Sequence, residues 1–320
     1  MLARFTAMAV LAGLLLPGAA QAAFPDRPLT IIVPAAAGGG GDTTTRILAR
    51  EIEKTFGQPI TIVNQGQGGG VVGLTSIRSA KPDGYTVGLL FPYAGYKAMG
   101  QADFAATDFT PIANFNGDSS ALLVGGKSAF KDLASALAAL KAEPARYRIH
   151  CSGGCGSVWD IPVAGLMLDQ GIAVNRIAWI PGQGAATGFT ELVSGGVDFQ
   201  TASLPEAAAL MNGGRLRPLA VLSPTPVPGF ESVPTTAQAI GTPVDGGTWR
   251  AIGGPAGMPD DIRARWEDAI RKAVDSPSFR AAMAKANFGV KWLDSKGLAD
   301  LMSQHEADTE RVMKALGYVK

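Results

Sequence analysis

The stretch Leu29-Thr30-Ile31-Ile32-Val33-Pro34-Ala35-Ala36-Ala37-Gly38-Gly39-Gly40-Gly41-Asp42 decides the fold. Its opening run is aliphatic or β-branched and uncharged, so it reads as a buried strand. Pro34 ends the strand and the glycines supply a tight turn. Beyond the turn, Ile47, Leu48, Ile52 and Phe56 recur at helical spacing. The predicted helix runs over 43–56, with Asp42 expected as its N-cap and Gly57 as its stop. Strand, glycine turn and helix in that order are the opening of a βαβ unit.

The same grammar repeats outward. A strand at Ile60 to Val63 leads into a second glycine turn and a helix over 71–80. Pro82-Asp83-Gly84 is a turn, and Tyr85 to Leu90 is the third strand. This alternation predicts a parallel sheet with right-handed crossovers. Further on, a strand at Ala121 to Val124 precedes a helix at Lys131 to Lys141, stopped by Pro144. Tyr147 to Cys151 enters a third glycine turn, Ser152 to Ser157, and Arg176 to Ile180 a fourth, Pro181 to Gly184. Val197 to Thr201 and Leu219 to Leu222 complete a second parallel set, followed by a proline-rich connection over 224–234. The tail predicts a strand at Trp249 to Gly253 and a helix opened by Pro259, with Ile262, Trp266, Ile270 and Val274 on one face. A shorter helix near 278–286, a last strand at Val290 to Leu293 and a long amphipathic helix close the chain.

The N-terminus points to export. Arg4 is the sole charge before Asp26, residues 7–16 are apolar, and Ala20-Gln21-Ala22 is a small-x-small cleavage site. A signal peptide over residues 1–22 is expected, with Ala23 as the new N-terminus and a periplasmic destination. Cleavage removes Arg4 and no acid, so the 28 basic and 27 acidic residues become equal in number. A neutral chain offers no electrostatic case for nucleic acid.

Each of the glycine turns follows a strand and opens a helix, where unpaired N–H groups and the helix dipole attract anions. A single such turn is an ordinary βα connection; several facing one cleft would hold a carboxylate without Arg or Lys. Enzyme chemistry is poorly served. There is no Gly-x-Ser-x-Gly elbow. The chain has 2 His, His150 and His305, neither beside an evident nucleophile and acid. Gly68-x-Gly70-x-x-Gly73 matches a dinucleotide fingerprint but lacks the acidic residue after the next strand. Gly126-Lys127-Ser128 lacks the P-loop's earlier glycine, because Ala121 stands there. No cofactor and no metal site is expected.

Several motifs carry a resemblance. Pro34 to Asp42 followed by Arg46, Asn64 to Gly73, and Pro82-Asp83-Gly84-Tyr85 are similar to the first three motifs of the tripartite tricarboxylate transporter substrate-binding proteins, the Bug or TctC family. Ser152 to Ser157, Gly195-Gly196-Val197-Asp198, Gly214 to Val221, Val233-Pro234-Thr235 and Pro255 to Pro259 resemble later ones. The resemblance implies an α/β chain of the type II periplasmic-binding-protein fold: two parallel-sheet α/β lobes joined by two crossing strands. The expected division places residues 23–121 and 250–320 in lobe 1 and 122–249 in lobe 2, with crossings near Leu122–Gly125 and Trp249–Gly253. The final helix is expected to return to lobe 1.

The resemblance also implies a non-enzymatic receptor for a small carboxylate, expected as a monomer that delivers its ligand to a two-component membrane permease. The same closure would serve an exported ligand sensor, or an enzyme reusing the fold. The expected ligand-binding positions are Ala36, Gly38, Gly39, Gly40, Asp42, Gly68 and Gly69 in lobe 1. In lobe 2 they are Ser152, Gly153, Gly156, Ser157, Trp159, Asp160, Gln183 and Ser203. This chain departs from the family at Ala35, Gly40, Asp160, Gly182, Gln183, Ala202 and Ser203. Asp160 has two readings: it lines the cleft and repels a second carboxylate, or it caps the following helix. Cys151 and Cys155 flank the third turn; the readings are a local disulfide, suited to an oxidising compartment, or two free thiols.

Overall fold

Leu29–Val33 forms β1, buried on both faces because helices cover both sides of a parallel strand. The computed structural model describes residues 24–152, 155–182 and 184–319. The other strands are β2 (Ile60–Asn64), β3 (Thr86–Leu90), β4 (Phe109–Gly125), β5 (Arg148–Cys151), β6 (Ala178–Pro181), β7 (Phe199–Ser203), β8 (Leu216–Val221) and β9 (Gly247–Pro255). The α-helices are α1 (Gly40–Phe56), α2 (Val71–Arg78), α3 (Gly95–Ala98), α4 (Leu133–Ala142), α5 (Ile161–Asp169), α6 (Ala185–Ser194), α7 (Leu204–Asn212), α8 (Thr236–Ile240), α9 (Asp260–Asp275), α10 (Pro277–Lys285) and α11 (Ser295–Leu316).

Two sheets share one strand. The first has the order β2-β1-β3-β9-β4, with β1, β2 and β3 parallel and β9 antiparallel to β3. The second contains β4, β7, β5 and β6 in that order, with β8 on the other side of β4. β5 is parallel to β6 and β7, while β7 and β8 run antiparallel to β4. The expected parallel set therefore omits β8, whose hydrogen-bonded partner is the crossing strand.

β4 is 17 residues long, far longer than the expected Ala121 to Val124. Its first part hides in the sequence because its register slips between Pro111 and Ala113 and between Asn114 and Asn116. Bulges of this kind break the two-residue alternation that marks a strand. Through Ser119 it pairs with β9, and from Ser120 with β7 and β8. The change of partner thus falls at Ser119–Ser120, upstream of the expected Leu122–Gly125. The second connection lies just before Trp249: Gly246 donates to Leu222 O (3.0 Å) and its carbonyl accepts from Ser120 N (2.8 Å).

Each sheet has its own core. Trp266, Phe279, Phe115 and Leu48 are buried on one face of the first, and the Trp266 indole donates to Gly84 O at 3.0 Å. Phe199, Leu166 and Met167 centre the second. α11, expected wholly in lobe 1, divides its contacts. Leu298 and Met302 join the cluster of Tyr93 and Trp249, whereas Val312 and Met313 pack on Ile161 and Ala164 of α5. Arg311 also pairs with Asp169 at 2.9 Å.

Two local expectations are corrected. Asp42 is not an N-cap: α1 starts at Gly40, after Gly39, and Asp42 sits inside the first turn, where it meets several donors at once. Gly57 does end the helix, in the left-handed conformation with φ 64°. Val290 to Leu293 is not a strand but a ribbon with one bridge, Leu293 to Asn114. Side-chain amides take the carbonyls a ladder would use: Asn114 Nδ2 donates to Lys291 O (2.7 Å) and Asn116 Nδ2 to Gly289 O (2.6 Å).

Candidate functional site

The register brings the glycine turns to one groove. β4 runs in the direction of β1, β2 and β3, since each of β3 and β4 is antiparallel to β9. It continues to Ser119, past the level of Leu90, before entering the second sheet. There Ser120 meets Ser203, the last residue of antiparallel β7. β5 and β6 run with β7, so both parallel sets aim their carboxyl ends at the space beside the crossing strands. Ligands of open α/β sheets lie beyond such ends.

The first two turns are packed on each other. A Cβ at Gly66 would stand 2.8 Å from the Ala35 carbonyl carbon and from Ala36 N. At Gly70, with φ 106°, it would stand 2.7 Å from Pro34 O. Gly66 needs glycine for the close approach, and Gly70 for both the approach and its positive φ. Asn64 fastens the pair: its Nδ2 donates to Ala35 O (3.2 Å) and to Asp42 Oδ1 (3.0 Å). Asp42 also accepts from Gly38 N–H at 2.8 Å and from Arg46 Nε at 2.8 Å. Burial pushes the Asp42 pKa up, but the bonds from Arg46, Gly38 and Asn64 together hold it below its ordinary value. The expected positions Ala36, Gly38, Gly39, Gly40 and Asp42 all lie in this turn and the helix start. Gly68 and Gly69 form the tip of the second turn, at φ 62° and 68°, and the Tyr96 hydroxyl donates to Gly69 O. The first-turn N–H groups of α1, at Gly40, Gly41 and Asp42, have no carbonyl within the helix to bond.

Arg250 was not foreseen. A Cβ at Gly40 would lie 3.0 Å from its Nη2, so the guanidinium stands beside the start of α1. Its Nη1 donates to Asp118 Oδ2 at 2.9 Å and to Asn116 Oδ1, and its plane lies over Phe288, 5.4 Å from the ring centroid. Gly289 N donates to the other Asp118 oxygen at 3.0 Å. The one signal in the sequence is a lone cation inside the apolar run Trp249 to Gly253.

In the second lobe Cys151 and Cys155 are disulfide-bonded, with Cα atoms 5.1 Å apart. The bridge closes the third turn at its base. Asp160 makes no side-chain cap on α5, and it is buried, 1% exposed. Its carboxylate turns back into the turn and accepts from Gly156 N (2.6 Å), Ser157 N (3.0 Å) and the Ser157 hydroxyl. Burial pushes its pKa up to about 6, against the pull of those donors. The amides expected to grip a ligand at Gly156 and Ser157 therefore point inward.

The other second-lobe positions are also tied. Gln200 Nε2 links Ser152 Oγ (3.0 Å) to Ala185 O (2.9 Å), joining the third turn to the helix that follows the fourth. Trp159 is half-buried, and its carbonyl accepts from Ser120 Oγ at 2.6 Å on the crossing strand. Ser203 is the N-cap of α7, its hydroxyl on Glu206 at 2.8 Å. Gly153 and Gln183 lie outside the described residues. The halves touch beside the groove, because a Cβ at Gly95 would lie 2.9 Å from Gly156 O. His150 is buried against Gly182 and Gly188, and burial lowers its pKa. A cavity of about 600 Å³ lined by Gly126, Lys127, Ser194 and Arg215 lies at the opposite end of the second sheet, away from the turns.

Two α/β halves joined by paired crossing strands, with loops from both facing one groove, define a solute-binding protein of the type II periplasmic-binding fold. The chain belongs to the tripartite tricarboxylate transporter receptor family, whose model, "Tripartite tricarboxylate transporter family receptor", matches residues 44–318. A TctC solute-binding protein from Polaromonas is 30% identical with a TM-score of 0.80, covering 91% of this chain and 99% of that one. MatC from Rhodopseudomonas palustris, solved with bound malate, is 26% identical with a TM-score of 0.70, covering 91% of this chain and all (100%) of that one. Protein BugT of Bordetella pertussis is 28% identical over 285 residues, 85% of this chain and 84% of its own length. The family and these structures are solute-binding proteins, not enzymes. No helix among the described residues is long and apolar enough to cross a membrane.

Proposed function

We propose that this protein is exported by cleavage after Ala22, works as a monomer in the periplasm, and captures a small carboxylate between its lobes for a two-component membrane permease. The carrying observation is the packed pair of first-lobe turns, which presents the unpaired N–H groups of the α1 start to the groove. Charge-assisted bonds from such donors contribute roughly 1.5–3 kcal/mol each. Bound malate in MatC supports the ligand class. Closure about the crossing strands would expel water and present a closed complex to the permease.

Isothermal titration of the mature chain against a carboxylate panel, with product analysis, tests this reading. Saturable binding without turnover is the expected result. Turnover, or silence across the panel, would refute it. Export is tested by Edman sequencing of the periplasmic protein, which should begin at Ala23.

A further inference from the structure

We propose that Asp160 occupies the second lobe's anion-binding turn from within, so that the ligand carries one carboxylate, held by the first lobe, and an uncharged remainder. This deepens the function proposed above and rests on it.

Between β5 and α5, beside the Cys151–Cys155 disulfide, Gly156 and Ser157 offer the donors an anion would take. An anion already sits there. The Gly156 and Ser157 N–H groups and the Ser157 hydroxyl all end on the two oxygens of Asp160. The side chain comes from the chain itself, is held within a few residues of its donors, and is almost fully shielded from water. A ligand carboxylate reaching this turn would have to displace a tethered one, and it would meet a like charge in a poorly solvated place. Every described donor that Asp160 has taken is a donor the ligand does not get.

Trp159 is half-buried and fixed through its carbonyl to Ser120 of the crossing strand. Its indole N–H has no acceptor among the described residues. On the first-lobe side, the Arg250 charge is paired with Asp118, and the N–H groups at the α1 start remain where the single carboxylate would dock. Unbonded N–H groups at the α1 start in one lobe, and the Gly156 and Ser157 donors taken by Asp160 in the other, make the two ends of the groove unequal.

The test compares matched pairs: succinate, malate and adipate, each against its monomethyl ester, by isothermal titration into the mature protein. The inference expects the monoester to bind at least tenfold tighter in each pair that binds. It also expects Asp160→Ser, which frees the turn's donors, to shift that ratio at least tenfold toward the diacid. A merely structural role for Asp160 would weaken both members alike and leave the ratio unmoved, which overturns the inference. Because Asp160→Ser is at risk of misfolding, the wild-type ratios stand as an independent arm. Diacids that bind more tightly than their monoesters overturn the inference and leave the carboxylate receptor intact. Silence from every carboxylate overturns the receptor reading, and the inference with it.

Discussion

Arg250 and Asp118 form an ion pair across the two strands that join the lobes, Nη1 to Oδ2 at 2.9 Å, with side chains 14% and 11% exposed. Asn116 shares the guanidinium and Gly289 N–H shares the carboxylate, so both charges are closely partnered. Such a pair is costly to break from one side, because the survivor is left partly buried without its partner. Arg250→Met should therefore cost about 3–5 kcal/mol. Adding Asp118→Leu should recover part of that loss. Urea unfolding of the two single variants and the double variant measures the coupling; strictly additive losses would show that the pair is not a unit.

The disulfide closes a short loop, so its contribution to stability is modest. The chain-entropy model gives about 2 kcal/mol for a loop of this length. The Cys151→Ser/Cys155→Ser variant should unfold at lower urea by that margin. A loss of ligand affinity beyond a few-fold would show that the bridge also shapes the third turn. Mass spectrometry finding two alkylatable thiols in the unreduced protein would contradict the pairing.

Gly66→Ala tests the seam between the first two turns. The new methyl would enter 2.8 Å from the Ala35 and Ala36 backbone. Neither neighbour is a side-chain tip that can swing away, so the turns must part. Overpacking of this kind costs about 1–3 kcal/mol. Affinity for the best-binding carboxylate should fall more than tenfold. Gly57→Ala, which strains a turn away from the groove, should lower stability without changing affinity.

Two shielded titrating groups, half-buried His305 and buried Asp160, oppose each other in acid. Burial lowers the His305 pKa from 6.5 to about 4, where the ring packs edge-on against Trp249. Its depressed pKa means that its contribution is full above pH 6.5 and is lost as pH falls toward about 4. Asp160, raised from 3.8 to about 6, works the other way: its contribution is full below 3.8 and is lost as pH rises through about 6. Each is worth at most about 3 kcal/mol. His305→Gln should therefore gain stability relative to wild type between pH 7 and pH 4. Thermal unfolding across that range checks the sign; parallel curves for the two proteins would remove His305 from the account.

The first-lobe turns were legible as pattern. The apolar runs at Leu29 and Ile60 and the glycine clusters after them located the first-lobe turns, because strand burial and tight turning are local properties. The long β4 was not visible, since its bulges at Pro111 and Asn114 spoil the alternation. Ser203 reads as a ligand contact, and Glu206, three positions on, also makes it the N-cap of α7 through a capping box. Asp160 shows the limit most plainly. Its identity marked the turn as unusual, but a side chain before a helix has several donors within reach, and composition does not choose among them.

The order of apolar runs, glycine turns and amphipathic helices by itself determined two α/β halves and the turns that end their strands, because those features depend on neighbours along the chain. Tertiary structure alone decided where Asp160 points, which charge meets Arg250, and that α11 touches both halves. Those outcomes depend on groups from distant positions competing for the same buried donors and surfaces. That competition is settled only when packing brings positions 116–118, 250 and 288 to one place.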